Sequence, residues 1–160
     1  MAMYENNEIH ITGVGLGDID RVTNPEEPLN KDLVVVPPSF DIYYIGLNVK
    51  QPPFDDKHFR RALSYAIDRE LIAERVLANM FSPATTILPE GFPGYTGEVS
   101  GLKFNPDTAK KELQNSSYQD DVPLVTITVP GTGGSIGLDM EAIIEMWRTT
   151  LGIEVEIQQV

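Results

Sequence analysis
The stretch Tyr44–Arg69, YIGLNVKQPPFDDKHFRRALSYAIDR, restricts the fold more than any other part of this chain. An apolar, strand-like run ends at Pro52-Pro53, because proline has no N–H to donate to a ladder. Asp55 and Asp56 then offer side-chain oxygens, and negative charge, to the free N–H groups at the positive end of a new helix. Phe59, Leu63, Ala66 and Ile67 recur at helical spacing and make one apolar face. Asp68 restarts the cap, and Leu71, Ile72 and Val76 carry a second helix toward Met80. Local chemistry alone thus predicts a strand–loop–helix–helix unit.

The remainder alternates in the same way. Ile9 and Ile11 interleave with Glu8, His10 and Thr12 as a half-buried strand does. Gly13, Gly15 and Gly17 form a turn into a short helical segment near Asp18–Val22, which Pro25 and Pro28 stop. Leu33–Val36 is a continuous apolar run, as in a strand covered on both faces, and Ile42–Val49 predicts the next strand. Residues 82–104, rich in proline and glycine, predict an ordered surface crossing anchored by Ile87, Leu88, Phe92 and Tyr95. Asn105-Pro106-Asp107 is a helix start, with a cap followed by proline at the first helical position, and that helix runs through Ala109 and Leu113. Val125, Ile127 and Val129 form a strand. Ser135 is the candidate cap of a last helix carrying Met140, Ile143, Ile144, Trp147 and Leu151. Gly152 ends that helix in the left-handed conformation, and Ile153, Val155 and Ile157 alternate as a final strand. Strands alternating with helices imply an open α/β sheet. Strand-like sequence at both ends gives the expectation of a segment cut from something larger.

Composition removes several function classes. The 160 residues are 41% hydrophobic and 22% charged, ordinary for a folded chain that buries roughly 70% of its unfolded surface. The net charge of −12, with no local Lys/Arg cluster, repels phosphate backbones and argues against nucleic acid as a partner. With no cysteine there is no disulfide, thiol nucleophile or thiolate zinc site. No apolar run reaches the roughly 18 residues a membrane span needs. Met1-Ala2-Met3 leads straight into Tyr4-Glu5-Asn6, without a leader pattern.

Asn48, Pro53-Phe54-Asp55-Asp56, Arg60 or Arg61, Ala62-Leu63 and Ala66-Ile67-Asp68-Arg69 together resemble the signature of the family 5 extracellular solute-binding proteins. These are the oligopeptide-, dipeptide- and nickel-binding receptors of ABC importers. The likeness extends over nearly the whole chain. It takes in the opening YENNEIHITGVG, the helix Asn105–Leu113, and the block from Leu124–Val129 to Leu151-Gly152-Ile153-Glu154-Val155. The resemblance implies that residues 1–160 are a single domain, the C-terminal lobe (lobe II) of a two-lobed receptor that closes over its ligand by hinge motion. The implied architecture is a three-layer α/β/α lobe of the type II periplasmic-binding-protein fold, with a mixed, mainly parallel sheet. The implied function is not enzymatic and uses no cofactor. It is capture of oligopeptides, dipeptides or a similar small solute for an ABC transporter permease, outside the cytoplasm, in the periplasm or on a cell-surface lipoprotein. The partners are then the solute, the permease and the first lobe, which this chain lacks.

Within that frame the candidate ligand-binding residues are Thr132, Gly133, Gly134 and Ser135. Their glycine-rich stretch follows a strand and opens a helix, where free N–H groups and the helix dipole attract a carboxylate. Several relatives place an arginine or histidine there, and this chain has none. The plain alternative is a tight connection that needs glycine for its geometry. A dinucleotide-binding enzyme domain is the rival reading. Gly131-Thr132-Gly133 begins the fingerprint and Glu154 or Glu156 follows about twenty residues on, but Ile136 replaces the third glycine. No phosphate-binding Gly-Lys-Ser/Thr occurs. Asp55-Asp56 reads as a cap rather than paired acids or metal ligands. His10 and His58 have no serine or carboxylate partner at a recognisable spacing. Trp147 sits on the apolar helix face and reads as core, Glu26-Glu27 as solvated loop. Of Tyr43 and Tyr44, on opposite faces of one strand, one is expected buried and the other at the edge of a cleft.

Overall fold
The computed structural model describes residues 1–36, 39–130 and 136–160. They form two compact units, Met1–Asp41 and Ile42–Val160. The first holds two short helices, α1 (Ala2–Glu5) and α2 (Ile19–Thr23), and a 3-10 turn at Pro28–Asp32. Val22 is its buried residue, and the carbonyl of Val22 accepts a hydrogen bond from Asn30 Nδ2 at 2.9 Å. An ion pair joins Arg21 to Glu5.

The second unit holds the hydrophobic core. Its elements are α3 (Lys57–Tyr65), the short α4 (Arg69–Leu71) continued by a π-turn (Ile72–Val76), α5 (Pro106–Gln114), β1 (Val125–Val129), α6 (Leu138–Leu151) and β2 (Val155–Gln159). The caps fall where the sequence puts them. Asp56 Oδ1 accepts from the His58 and Phe59 N–H groups, Asp68 Oδ1 from Leu71 N–H, and Asn105 Oδ1 from Thr108 N–H. Gly152 closes α6 at φ 69°, in the left-handed region where a Cβ is penalised. β1 and β2 pair in parallel, Val125 opposite Val155 and Val129 opposite Gln159, and α6 is the crossover that a parallel pair requires. Phe59, Leu63, Ala66, Ala109, Val125, Ile143, Trp147 and Ile153 are buried together between these elements.

The C-terminal end of α3 is the mechanical centre of this unit. The last four carbonyls of a helix have no partner within it. Here each has a donor. Ala62 O accepts from Ala66 N–H at 3.1 Å, Leu63 O from Trp147 Nε1 at 3.0 Å, Ser64 O from Arg69 Nη1 at 3.2 Å, and Tyr65 O from Asn105 N–H at 2.9 Å. One helix end is thereby tied to α4, α5 and α6. Arg69 also reaches Ile67 O, Leu102 O and Ser64 Oγ, so its cation sits among carbonyls at the negative end of the helix dipole. Burial lowers its pKa from the usual arginine value. Replacing Arg69 with methionine is expected to lower the unfolding free energy by about 1.5–3 kcal/mol, the range for hydrogen bonds to charged groups. Lysine, with a compact ammonium instead of a planar fork, is expected to restore only part of this in urea unfolding.

Several expected strands do not form. Ile9–Ile11, Leu33–Val36 and Ile42–Val49 join no ladder among the described residues, and the sheet seen there has two strands. The run expected to be covered on both faces lies open instead: Val34, Val35 and Val36 are 74–84% exposed. Apolar alternation marks a segment suited to a sheet, but a strand exists only where another backbone lies beside it. The three-layer arrangement is therefore represented here by the β1–α6–β2 portion with α3 and α5. The chain opens on helix α1 rather than on a strand. The helix expected to run toward Met80 stops at Val76, before Ala78 and Asn79 at φ 47° and 58°. In the crossing at 82–104, Ile87, Leu88 and Tyr95 are exposed and only Phe92 is half-buried. Backbone contacts fix that segment: Arg69 holds Leu102 O, and Gly101 packs directly on Thr85 with no room for a Cβ. The expected cap of α6, Ser135, lies outside the described residues. The helix begins at Leu138 with Gly137 in the cap position, where Asp139 Oδ1 stands in the place a side chain would take.

Candidate functional site
In open α/β sheets ligands meet the carboxyl ends of parallel strands, where the following helix presents its N-terminus. β1 and β2 end together at Val129 and Gln159. A hollow of about 170 Å³ lies at this edge, lined by Tyr43, Val129, Pro130, Ile136, Gly137, Met140 and Gln159. The predicted site residues Thr132, Gly133, Gly134 and Ser135 lie outside the described residues, and their flanks Pro130, Ile136 and Gly137 line the hollow. Tyr43 reaches it from a distant part of the sequence. Partial desolvation, and then the negative charge of Asp139, push its phenol above the ordinary tyrosine value, although the residue as a whole is 71% exposed. The phenol stays protonated at neutral pH and can donate or accept a hydrogen bond. Tyr44 is 66% exposed, so neither tyrosine is the buried member of the expected pair. With no strand partner beside this segment among the described residues, the two-faced argument for burying one of them lapses.

The geometry weakens the dinucleotide reading. Glu156 lies near the start of β2, opposite Thr126, whereas the carboxyl end of that strand, where a ribose would be met, carries Gln159. Ile136 is a half-buried apolar residue at the third glycine position.

Asp55 and Asp56 have separate tasks. Asp56 caps α3 through Oδ1, and its Oδ2 accepts from Ser117 N–H at 2.8 Å and from Ser117 Oγ at 2.5 Å. Burial raises its pKa, but the bonds from Ser117, Phe59 and His58 outweigh that and hold the carboxyl well below the usual aspartate range. Asp55 instead accepts from the Tyr118 hydroxyl at 2.7 Å. Neighbouring residues predict a cap for both, and the partners of Asp56 and Asp55 lie 61 and 63 residues away. Because the Asp56 value is depressed on folding, its contribution is full at neutral pH and is lost as pH falls below its ordinary value of 3.8. Asp56→Ala is expected to cost about 0.5–2 kcal/mol at pH 7. In urea titrations the gap to wild type is expected to narrow by pH 3.

His58 does have a carboxylate partner. Its Nδ1 lies 2.7 Å from Glu112 Oε2 on α5, and Arg61 Nε lies 2.8 Å from Glu112 Oε1, an ion pair by distance but without hydrogen-bond alignment. The spacing of 54 residues hid it. The trio of His58, Arg61 and the single carboxylate of Glu112 clamps α3 to α5. Among the described residues no group of three His, Cys, Asp or Glu side chains could hold a metal, and no helix is long and apolar enough to cross a membrane.

Several named binding proteins are similar to this chain. Over 154 residues it is 31% identical to the periplasmic murein peptide-binding protein MppA of Escherichia coli K12, covering 89% of this chain and 29% of that protein. Over 163 residues it is 27% identical to the oligopeptide-binding protein OppA of Bacillus subtilis 168, covering 96% of this chain and 29% of the relative. The solved E. coli murein tripeptide binding protein MppA superposes with a TM-score of 0.58 at 29% identity, over 70% of this chain and 23% of that one. The chain thus spans less than a third of the length of these relatives. It is an α/β fragment of the type II periplasmic-binding-protein fold that the solved neighbours adopt. The description "Bacterial extracellular solute-binding proteins, family 5 Middle" matches residues 1–160, and the chain belongs to that family.

Proposed function
We propose that this chain is part of lobe II of a two-lobed, non-enzymatic receptor that captures a peptide or similar small solute and delivers it to an ABC transporter permease. The observation that carries this reading is the family match along all 160 residues. The hollow at the carboxyl edge of β1 and β2 supports it, being placed where a solute could be held at the start of α6, with Tyr43 among the residues that line it. The stretch 130–137 has no Lys, Arg or His. A carboxylate bound there would rely on N–H groups and the dipole of α6, with no cationic side chain. The receptor works outside the cytoplasm, in the periplasm or as a cell-surface lipoprotein, and its first lobe supplies the opposite wall of the ligand cleft.

Small-molecule sites enclose most of their ligand, and the hollow here is below the usual pocket size of roughly 300–1,000 Å³. Calorimetric titration of the chain with di-alanine and tri-alanine is therefore expected to give binding no tighter than about millimolar, and a longer protein that includes this chain and the first lobe is expected to bind far more tightly. Tight, stoichiometric binding to the chain alone would overturn the two-lobe reading. Failure of the two-lobed protein to take up any peptide, or its binding of NAD in place of peptide, would overturn solute capture.

A further inference from the structure
We draw no further inference here: the strongest candidate, the exposed apolar run Val34–Val36 of the first unit, is an unpartnered face and nothing in the structure shows what covers it.

Discussion

Trp147→Ala is expected to lower the unfolding free energy by about 3–5 kcal/mol, the range for emptying a large aromatic site in a packed core. Trp147 is 2% exposed and is the only tryptophan in the chain. Two effects combine at this position. Its ring fills the space between α6 and α3, and its Nε1–H is the donor for Leu63 O at the end of α3. Trp147→Phe separates them. Phenylalanine keeps much of the ring volume but leaves a buried carbonyl without a donor, a loss of about 1–3 kcal/mol. Urea unfolding followed by far-ultraviolet circular dichroism measures both variants without relying on the removed fluorophore. If Trp147→Phe proves as stable as wild type, the indole–Leu63 bond has no energetic weight, and the picture of α3's end as a hub fails at its most buried link.

The second large effect is expected at Phe59, which is fully buried on α3. Its ring meets Phe54 edge-on at 6.1 Å and Tyr118 at 6.0 Å, with interplanar angles of 66° and 78°. These T-shaped contacts connect the segment before α3 to the turn after α5, and such pairs add about 0.5–1.5 kcal/mol beyond simple burial. Phe59→Ala is expected to cost about 3–5 kcal/mol. Phe59→Leu, closer in volume, is expected to cost about 1.5 kcal/mol or somewhat more, because the edge contacts go even where the space is refilled. Here Trp147 fluorescence serves as the probe of unfolding. A loss below about 1 kcal/mol for Phe59→Ala would mean that the aromatic trio is not packed as described.

The candidate site divides in the same way as the stability does. That a glycine-rich stretch lies between a strand and a helix was readable from residues 125–151, since strand alternation, glycine and helical spacing are neighbouring features. Which of Tyr43 and Tyr44 lines this hollow was not, because nothing within a few residues of either refers to Met140 or Gln159. The resemblance supplied the family from a motif whose residues are mostly structural in this fold. Asp56 caps α3 and holds Ser117, Asp68 caps α4, and Arg69 binds the carbonyls ending α3.

What the sequence determined by itself was whatever is settled within about one helical turn. Asp56, Asp68 and Asn105-Pro106 start helices because a side-chain oxygen two or three residues upstream of a free N–H is enough, and Gly152 stops one because only its own φ matters. The apolar faces of α3 and α6 follow from spacing alone. Tertiary structure decided everything that depends on a remote partner. It set which apolar runs found a neighbouring backbone, so that Val125–Val129 became a strand and Leu33–Val36 did not. It also brought Glu112 to His58, Tyr118 to Asp55 and Trp147 to Leu63. A cap is a property of adjacent residues, whereas a ladder, an ion pair or a cleft is a relation between segments whose meeting is fixed only when the core between them closes.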